Sequence, residues 1–179
     1  MSGHNKWSKI KHKKAATDAR KSKVFTKHAR SIAVESKKVD GNKNSPSLRA
    51  AIERARADLM PNENIERAIS KGIGADAEIT EEILYETYGG GGVGILISTI
   101  TDNRNRTSQE IKHILSKFGY QLGVPGSASW AFTKRENGFV PNTPIVLSEE
   151  QGESLALFVE ALEEHDDVQD VYTTADDAY

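Results

Sequence analysis

The chain has 179 residues, 37% of them hydrophobic, with 24 Lys and Arg against 26 Asp and Glu for a formal net charge of −2. It has no cysteine, which excludes disulfides and thiolate zinc sites. No apolar run approaches the roughly 18 residues of a membrane-spanning helix, and the basic start lacks the apolar stretch of a secretory signal, so a cytoplasmic location is expected.

Residues 1–20 are polar and basic, with Trp7 and Ile10 the only large apolar groups after Met1. A helical period starts near Ser22 and runs to Lys38, with Phe25, Ala29, Ile32 and Ser36 on one stripe and Lys23, Lys27 and Arg30 on another. After a loop at 41–44, Ser45-Pro46 reads as a helix start, followed by an apolar stripe of Leu48, Ala51, Ile52, Ala55 and Leu59. Asn62 is expected to cap a third helix that carries Glu63 and Glu66 early and Arg67 and Lys71 late, and that closes at Gly72. These segments predict a small helical bundle over residues 1–75.

The period changes after Asp76. Ile83–Tyr88 and Val93–Thr101 read as strands joined by a glycine turn at 89–92. Thr107-Ser108-Gln109-Glu110 has the capping-box pattern, with Ile111, Ile114, Leu115 and Phe118 as the buried helix face and Gly119 as its end. Ala128, Trp130 and Phe132 alternate as a strand, and 137–143, with Pro141 and Pro144 at hand, is the stretch least suited to regular structure. Ser148–Gln151 is a second capping box, opening a helix with Leu155, Phe158, Val159 and Leu162 inward. Val168–Thr173 is a last strand. The order predicts an α+β fold, in which residues 76–179 form an antiparallel or mixed sheet with both helices on one face.

The near-neutral total hides a segregation of charge. Through Ala75 there are 18 Lys and Arg against 7 Asp and Glu, a net of +11, and the remainder has 6 against 19, a net of −13. Segregated charge of this kind points to a partner, here a polyanion met by the basic part. The cations concentrate at Lys6, Lys9, Lys11, Lys13, Lys14, Arg20, Lys21, Lys23, Lys27 and Arg30, and Asp18 is the one acid among them. Clustered lysines and arginines suit phosphates, and Trp7 and His12, interleaved with them, suit stacking on unpaired bases. The plain alternative is a solvated basic tail, but the run continues onto a helix. Asp102–Thr107 joins a strand to a helix, where backbone N–H groups favour anions. Arg104 and Arg106 are candidates there to grip phosphate as planar forks, with a capping loop as the alternative.

The glycines at 89–92 are not followed by Gly-Lys-Ser/Thr and lie between strands, so they read as a hairpin turn rather than a phosphate loop. The five histidines show no zinc-ligand spacing. The glutamates of the last helix read as its solvated face. No nucleophile lies beside a base, so neither an enzyme nor a cofactor is expected.

Several segments together resemble one family. Ser2–Ala16, Val24–Lys27, Met60–Ile69, Tyr85–Gly89, Thr101–Thr107 and Asp166–Tyr172 follow in order the signature segments of the YebC-type proteins, which include mitochondrial translational activators of cytochrome c oxidase. The resemblance implies a helical N-terminal domain followed by α/β domains, one inserted in the other, and no catalytic residue or cofactor. It implies a gene-expression factor: a translation factor that contacts ribosomal RNA and relieves ribosome stalling, or alternatively a DNA-binding transcriptional regulator. It also strengthens a functional reading of Arg104 and Arg106. Two departures stand out. Phe132-Thr133-Lys134-Arg135 is followed almost at once by Phe139-Val140-Pro141, so the inserted domain is expected to be missing near 136–140. Gly90 replaces the proline of the family's glycine turn, so a more flexible tip is expected.

Overall fold

The computed structural model describes residues 18–74, 80–135 and 138–176, with side chains from Lys21 onward. These residues fall into two units. One runs to Glu81 and takes in Ile100–Asp102, and the other holds Glu82–Thr99 and the chain from Asn103 on.

The first unit is built from α1 (Asp18–Lys38), α2 (Pro46–Ala57) and α3 (Asn62–Ile73). The stripe expected on α1 is the one buried: Ile32 and Ser36 are inaccessible, and Phe25 and Ala29 pack on the same cluster as Leu48, Ile52, Ile65 and Ile69. The Ser36 hydroxyl donates to the Ile69 carbonyl at 2.8 Å, so the polar member of the stripe ties α1 to α3. Gly72 does not close α3, which continues to Ile73. A Cβ at Gly72 would lie 2.4 Å from the Ala33 carbonyl oxygen, so the residue is glycine because α1 passes against it.

Leu59 departs from the expected stripe. Helix α2 ends at Ala57, and Leu59 takes φ +62° and is 83% exposed. The Leu59 N–H bonds to the Arg56 carbonyl and the Met60 N–H to the Ala55 carbonyl, both at 2.9 Å. That pair of bonds is the Schellman ending, with leucine where glycine is usual. It turns Met60 into the core and throws Leu59 out. Pro61 then precedes α3 as its cap residue, and Asn62 is already helical, so the expected Asn62 cap is replaced.

The second unit centres on a sheet ordered β1 (Glu81–Tyr88), β2 (Gly94–Thr101), β5 (Val168–Thr173). The short glycine turn between β1 and β2 forces those two to run antiparallel. Strands β2 and β5 are antiparallel in the register Ile95↔Thr173 and Ile97↔Val171, with a bulge between Ser98 and Thr99. Alternate residues of β2 face opposite ways. Ile95 and Ile97 meet Ile111 and Leu115 of α4 (Arg104–Lys117) and Leu155, Phe158 and Leu162 of α5 (Glu149–Glu163). Both helices therefore lie on one face, as expected for this α+β fold. Leu96 faces the other way, against Ala128, Phe132, Phe139 and Tyr172. The capping box at Ser148 and Gln151 is present.

That second face is covered by a hairpin of β3 (Phe132–Arg135) and β4 (Gly138–Pro141), antiparallel from Phe132↔Pro141 to Arg135↔Gly138. Two expectations change here. Within the stretch at 137–143, Gly138–Pro141 pairs as a strand. Proline is tolerated because a two-stranded hairpin has only edges. Of the alternation Ala128, Trp130, Phe132, only Phe132 lies in a strand. Ser129–Ala131 forms a 3₁₀ turn that leaves Trp130 72% exposed.

Candidate nucleic-acid interface

Of the residues expected to contact nucleic acid, Lys6, Trp7, Lys9, Lys11, His12, Lys13 and Lys14 lie outside the described residues, as does the Arg20 side chain. Lys21 and Lys23 are exposed on α1, and Lys27 and Arg30 are half-buried. Lys23, Lys27 and Arg30 follow an i, i+4, i+7 spacing that places them on the side of α1 away from Ile32 and Ser36. Residues 18–74 hold 13 Lys and Arg against 7 Asp and Glu, so the bundle is basic without the tail. Part of that charge is used within it: Lys38 pairs with Glu35 at 2.9 Å, Arg67 with Glu63 at 2.8 Å, and Lys43 with Glu66. Burial would raise the Glu35 carboxyl, but hydrogen bonds from Lys38 and Ser47 and the charges of Lys38 and Arg54 outweigh it and hold it below the ordinary range.

The Arg104/Arg106 loop is organised differently from the expected capping box. Helix α4 starts at Arg104, and the cap is Asn103, whose side chain accepts the Arg106 backbone N–H at 3.1 Å. Thr107 lies inside the helix. Its hydroxyl is 2.6 Å from Asp167 Oδ2, an oxygen that also takes Arg106 Nη2 at 2.8 Å. Asp167 is 3% exposed, so Arg106 is the counter-ion of a buried carboxylate, while Arg104 stands exposed in the first turn. The loop thus separates two arginines that the sequence treats as a pair. Asp167 was not singled out from sequence, because its partners Arg106 and Thr107 are 61 and 60 residues away.

Glu110, His165 and Asp167 bring ligand-type atoms within 4.8 Å of one another. The ring nitrogens of His165 are already used. Nδ1 accepts the Asp167 backbone N–H at 3.1 Å, which leaves the proton on Nε2 to donate to Glu110 at 2.9 Å. With the Arg106 guanidinium as the resident cation, the arrangement is an ion-pair network tying α4 to the turn before β5, and the imidazole offers no lone pair to a metal. Replacing Arg106 by alanine is expected to lower stability by about 2 kcal/mol, since it strips a buried carboxylate of its charged donor. Arg104→Ala is expected to stay within about 0.5 kcal/mol. Urea unfolding of the two variants checks this, and equal midpoints would contradict it.

The glycine turn is strand-turn-strand, as expected. Gly91 and Gly92 have φ of +72° and +77°, which glycine adopts without strain, and the Gly89 N–H closes on the Val93 carbonyl at 2.8 Å.

A further feature gave no sequence signal. Glu86, towards the end of β1 and 5% exposed, accepts three backbone N–H groups. Oε1 takes Gly126 at 2.7 Å, and Oε2 takes Ala128 at 2.6 Å and Ser129 at 2.8 Å. Burial would raise its carboxyl, but these bonds outweigh that and hold it below the ordinary range. The carboxylate pins the loop that carries Trp130.

Comparison with known proteins agrees with the resemblance read from the sequence. Residues 5–75 match the profile described as the TACO1/YebC protein N-terminal domain, and residues 80–137 and 133–175 match the one described as the TACO1/YebC second and third domain. A protein of Thermotoga maritima named "Probable transcriptional regulatory protein" is 52% identical over 137 residues, which is 75% of this chain and 54% of that one. One of the same name from Petrotoga mobilis is 45% identical over 179 residues, covering 97% of this chain and 70% of that one. The chain spans about half the length of most of the curated relatives it matches. The crystal structure of a conserved hypothetical protein from Aquifex aeolicus superposes with a TM-score of 0.82 at 31% identity, covering 95% of this chain and 96% of that one. With both profiles matched in order along nearly its whole length, the chain belongs to the TACO1/YebC family.

Proposed function

We propose that the chain is a non-enzymatic gene-expression factor whose basic N-terminal part, residues 1–75, binds nucleic acid through the phosphate backbone, with ribosomal RNA as the partner and relief of stalled ribosomes as the outcome. The observation that carries the reading is the segregation of charge, +11 in the first 75 residues against −13 in the rest. Helix α3 favours backbone contact over base reading. A helix that reads the major groove presents its N-terminal residues to base edges between two rows of phosphates. The exposed residues at the start of α3 include Glu63 and Glu66, and Arg67 is held by Glu63. Glu66 is likewise paired with Lys43, so these acids neutralise the cations beside them and the start of α3 offers a duplex no net positive charge.

The second reading, a DNA-binding transcriptional regulator, has the better support from the relatives, which carry that name. Sedimentation and footprinting separate the two. The protein is expected to co-sediment with ribosomes at moderate salt, and its loss to raise ribosome occupancy at particular codons. Promoter-specific footprints with unchanged ribosome occupancy would establish the second reading instead.

The same proposal includes the absence of the inserted domain. The second profile breaks at 133–137, where β3 pairs directly with β4. On this reading nucleic-acid contact does not require that domain.

A further inference from the structure

Trp130 is exposed, yet its polar edge is fully used. The indole Nε1–H donates to the Ser127 carbonyl at 2.9 Å and to Tyr88 Oη at 3.1 Å, and Tyr88 Oη in turn donates to the same Ser127 carbonyl. What remains for a partner is the ring face. The ring is also held in place, because the loop beneath it is fixed from inside by the Glu86 carboxylate through Gly126, Ala128 and Ser129. A large aromatic left 72% in water, with its hydrogen bonds satisfied and a buried anion anchoring its backbone, is a rigid surface of the kind used for stacking.

The charge around it sets the class of partner. Although the second unit is acidic as a whole, β3 carries Lys134 and Arg135, both exposed, against one acid in the segment, Glu136, which falls between β3 and β4 in sequence. Five glutamates lie on the opposite layer, along α5. From Phe132 to Arg135 the strand advances about 10 Å, a span of one to two nucleotides.

We propose that Trp130 stacks on an unpaired base of a nucleic acid, with one of the two cations of β3, Lys134 or Arg135, which face opposite ways along the strand, meeting the adjoining phosphate. The proposal rests on the nucleic-acid reading above and adds to it a second contact, on the other unit, selective for single strands. A base inside a duplex does not offer its face, so stacking and phosphate contact respond differently to strandedness.

The test uses the full chain and two labelled probes of equal length, a single-stranded RNA and the duplex of the same sequence, with affinities read by anisotropy. Trp130→Ala is expected to weaken single-strand binding roughly tenfold and to leave duplex binding unchanged. Trp130→Phe, which keeps an aromatic face, is expected to retain most of the single-strand affinity and also guards against a folding defect. Replacing Lys134 and Arg135 by glutamine is expected to reduce the salt slope for the single strand by about 1. Unchanged single-strand affinity in Trp130→Ala, with the wild type still binding, would overturn this inference alone and leave the ring to a protein partner. An equal loss for both probes would overturn it too. Wild-type protein that binds neither probe would overturn the nucleic-acid reading itself, and this inference with it.

Discussion

Glu86→Gln is expected to lower stability by about 3 kcal/mol, more than most single substitutions. In the wild type Oε1 serves Gly126 while Oε2 serves Ala128 and Ser129. An amide has one acceptor oxygen, so whichever way it turns, an N–H donor faces an NH₂ donor. The variant loses charge-assisted bonds and strands at least one donor, each such loss being worth on the order of 1–3 kcal/mol. For a unit of roughly 100 residues this corresponds to a drop in melting temperature of about 10–20 °C. The effect also has a defined pH dependence. The folded-state carboxyl is held below its ordinary value of 4.5. Its contribution is therefore complete above that value and is lost as pH falls through the depressed folded value. The melting temperatures of wild type and Glu86→Gln are expected to differ most at neutral pH and to converge as the solution is acidified below about pH 4.5. Circular dichroism melts across that range make the check. A variant that melts with the wild type at neutral pH would show that the carboxylate does not anchor the loop.

Much of the fold was legible because its elements are periodic. The stripe on α1, the inward faces of α4 and α5 and the Ser148 capping box all follow from local spacing, and each took its expected place. Most of the failures share one cause, a local pattern overridden by a contact distant in sequence. Gly72 looks like a helix end but is glycine because Ala33 of α1 passes 2.4 Å from where its Cβ would be. Thr107 looks like a cap but is held inside α4 by Asp167. Trp130 looks like a strand residue, yet its loop is bonded to Glu86 more than 40 residues earlier. Leu59 is different, since its α2 ending is local, but a leucine in a left-handed turn gives no composition signal of the kind glycine gives. The candidate site was legible as charge. Its geometry was not, because ion pairs such as Arg106 with Asp167 join segments far apart in the chain.

The largest effect on binding is expected from the five lysines at 6, 9, 11, 13 and 14. Each neutralised phosphate releases condensed counterions, contributing about 0.7–0.9 to the log–log salt slope. At roughly 0.15 M salt, the same contribution per contact multiplied over five contacts amounts to about a thousandfold in affinity. Neutralising all five to glutamine is therefore expected to weaken binding by about that factor, with melting temperature measured alongside as the folding control.

The measurement that tests the central claim most directly is the salt dependence of nucleic-acid binding by the full chain, wild type beside the five-lysine variant. Five to eight phosphate contacts give an expected wild-type slope of about −4 to −7, and the variant is expected to lose about 4 of it. A wild-type affinity that hardly changes with salt, or a variant with the wild-type slope, would contradict the assignment of binding to the basic N-terminal part.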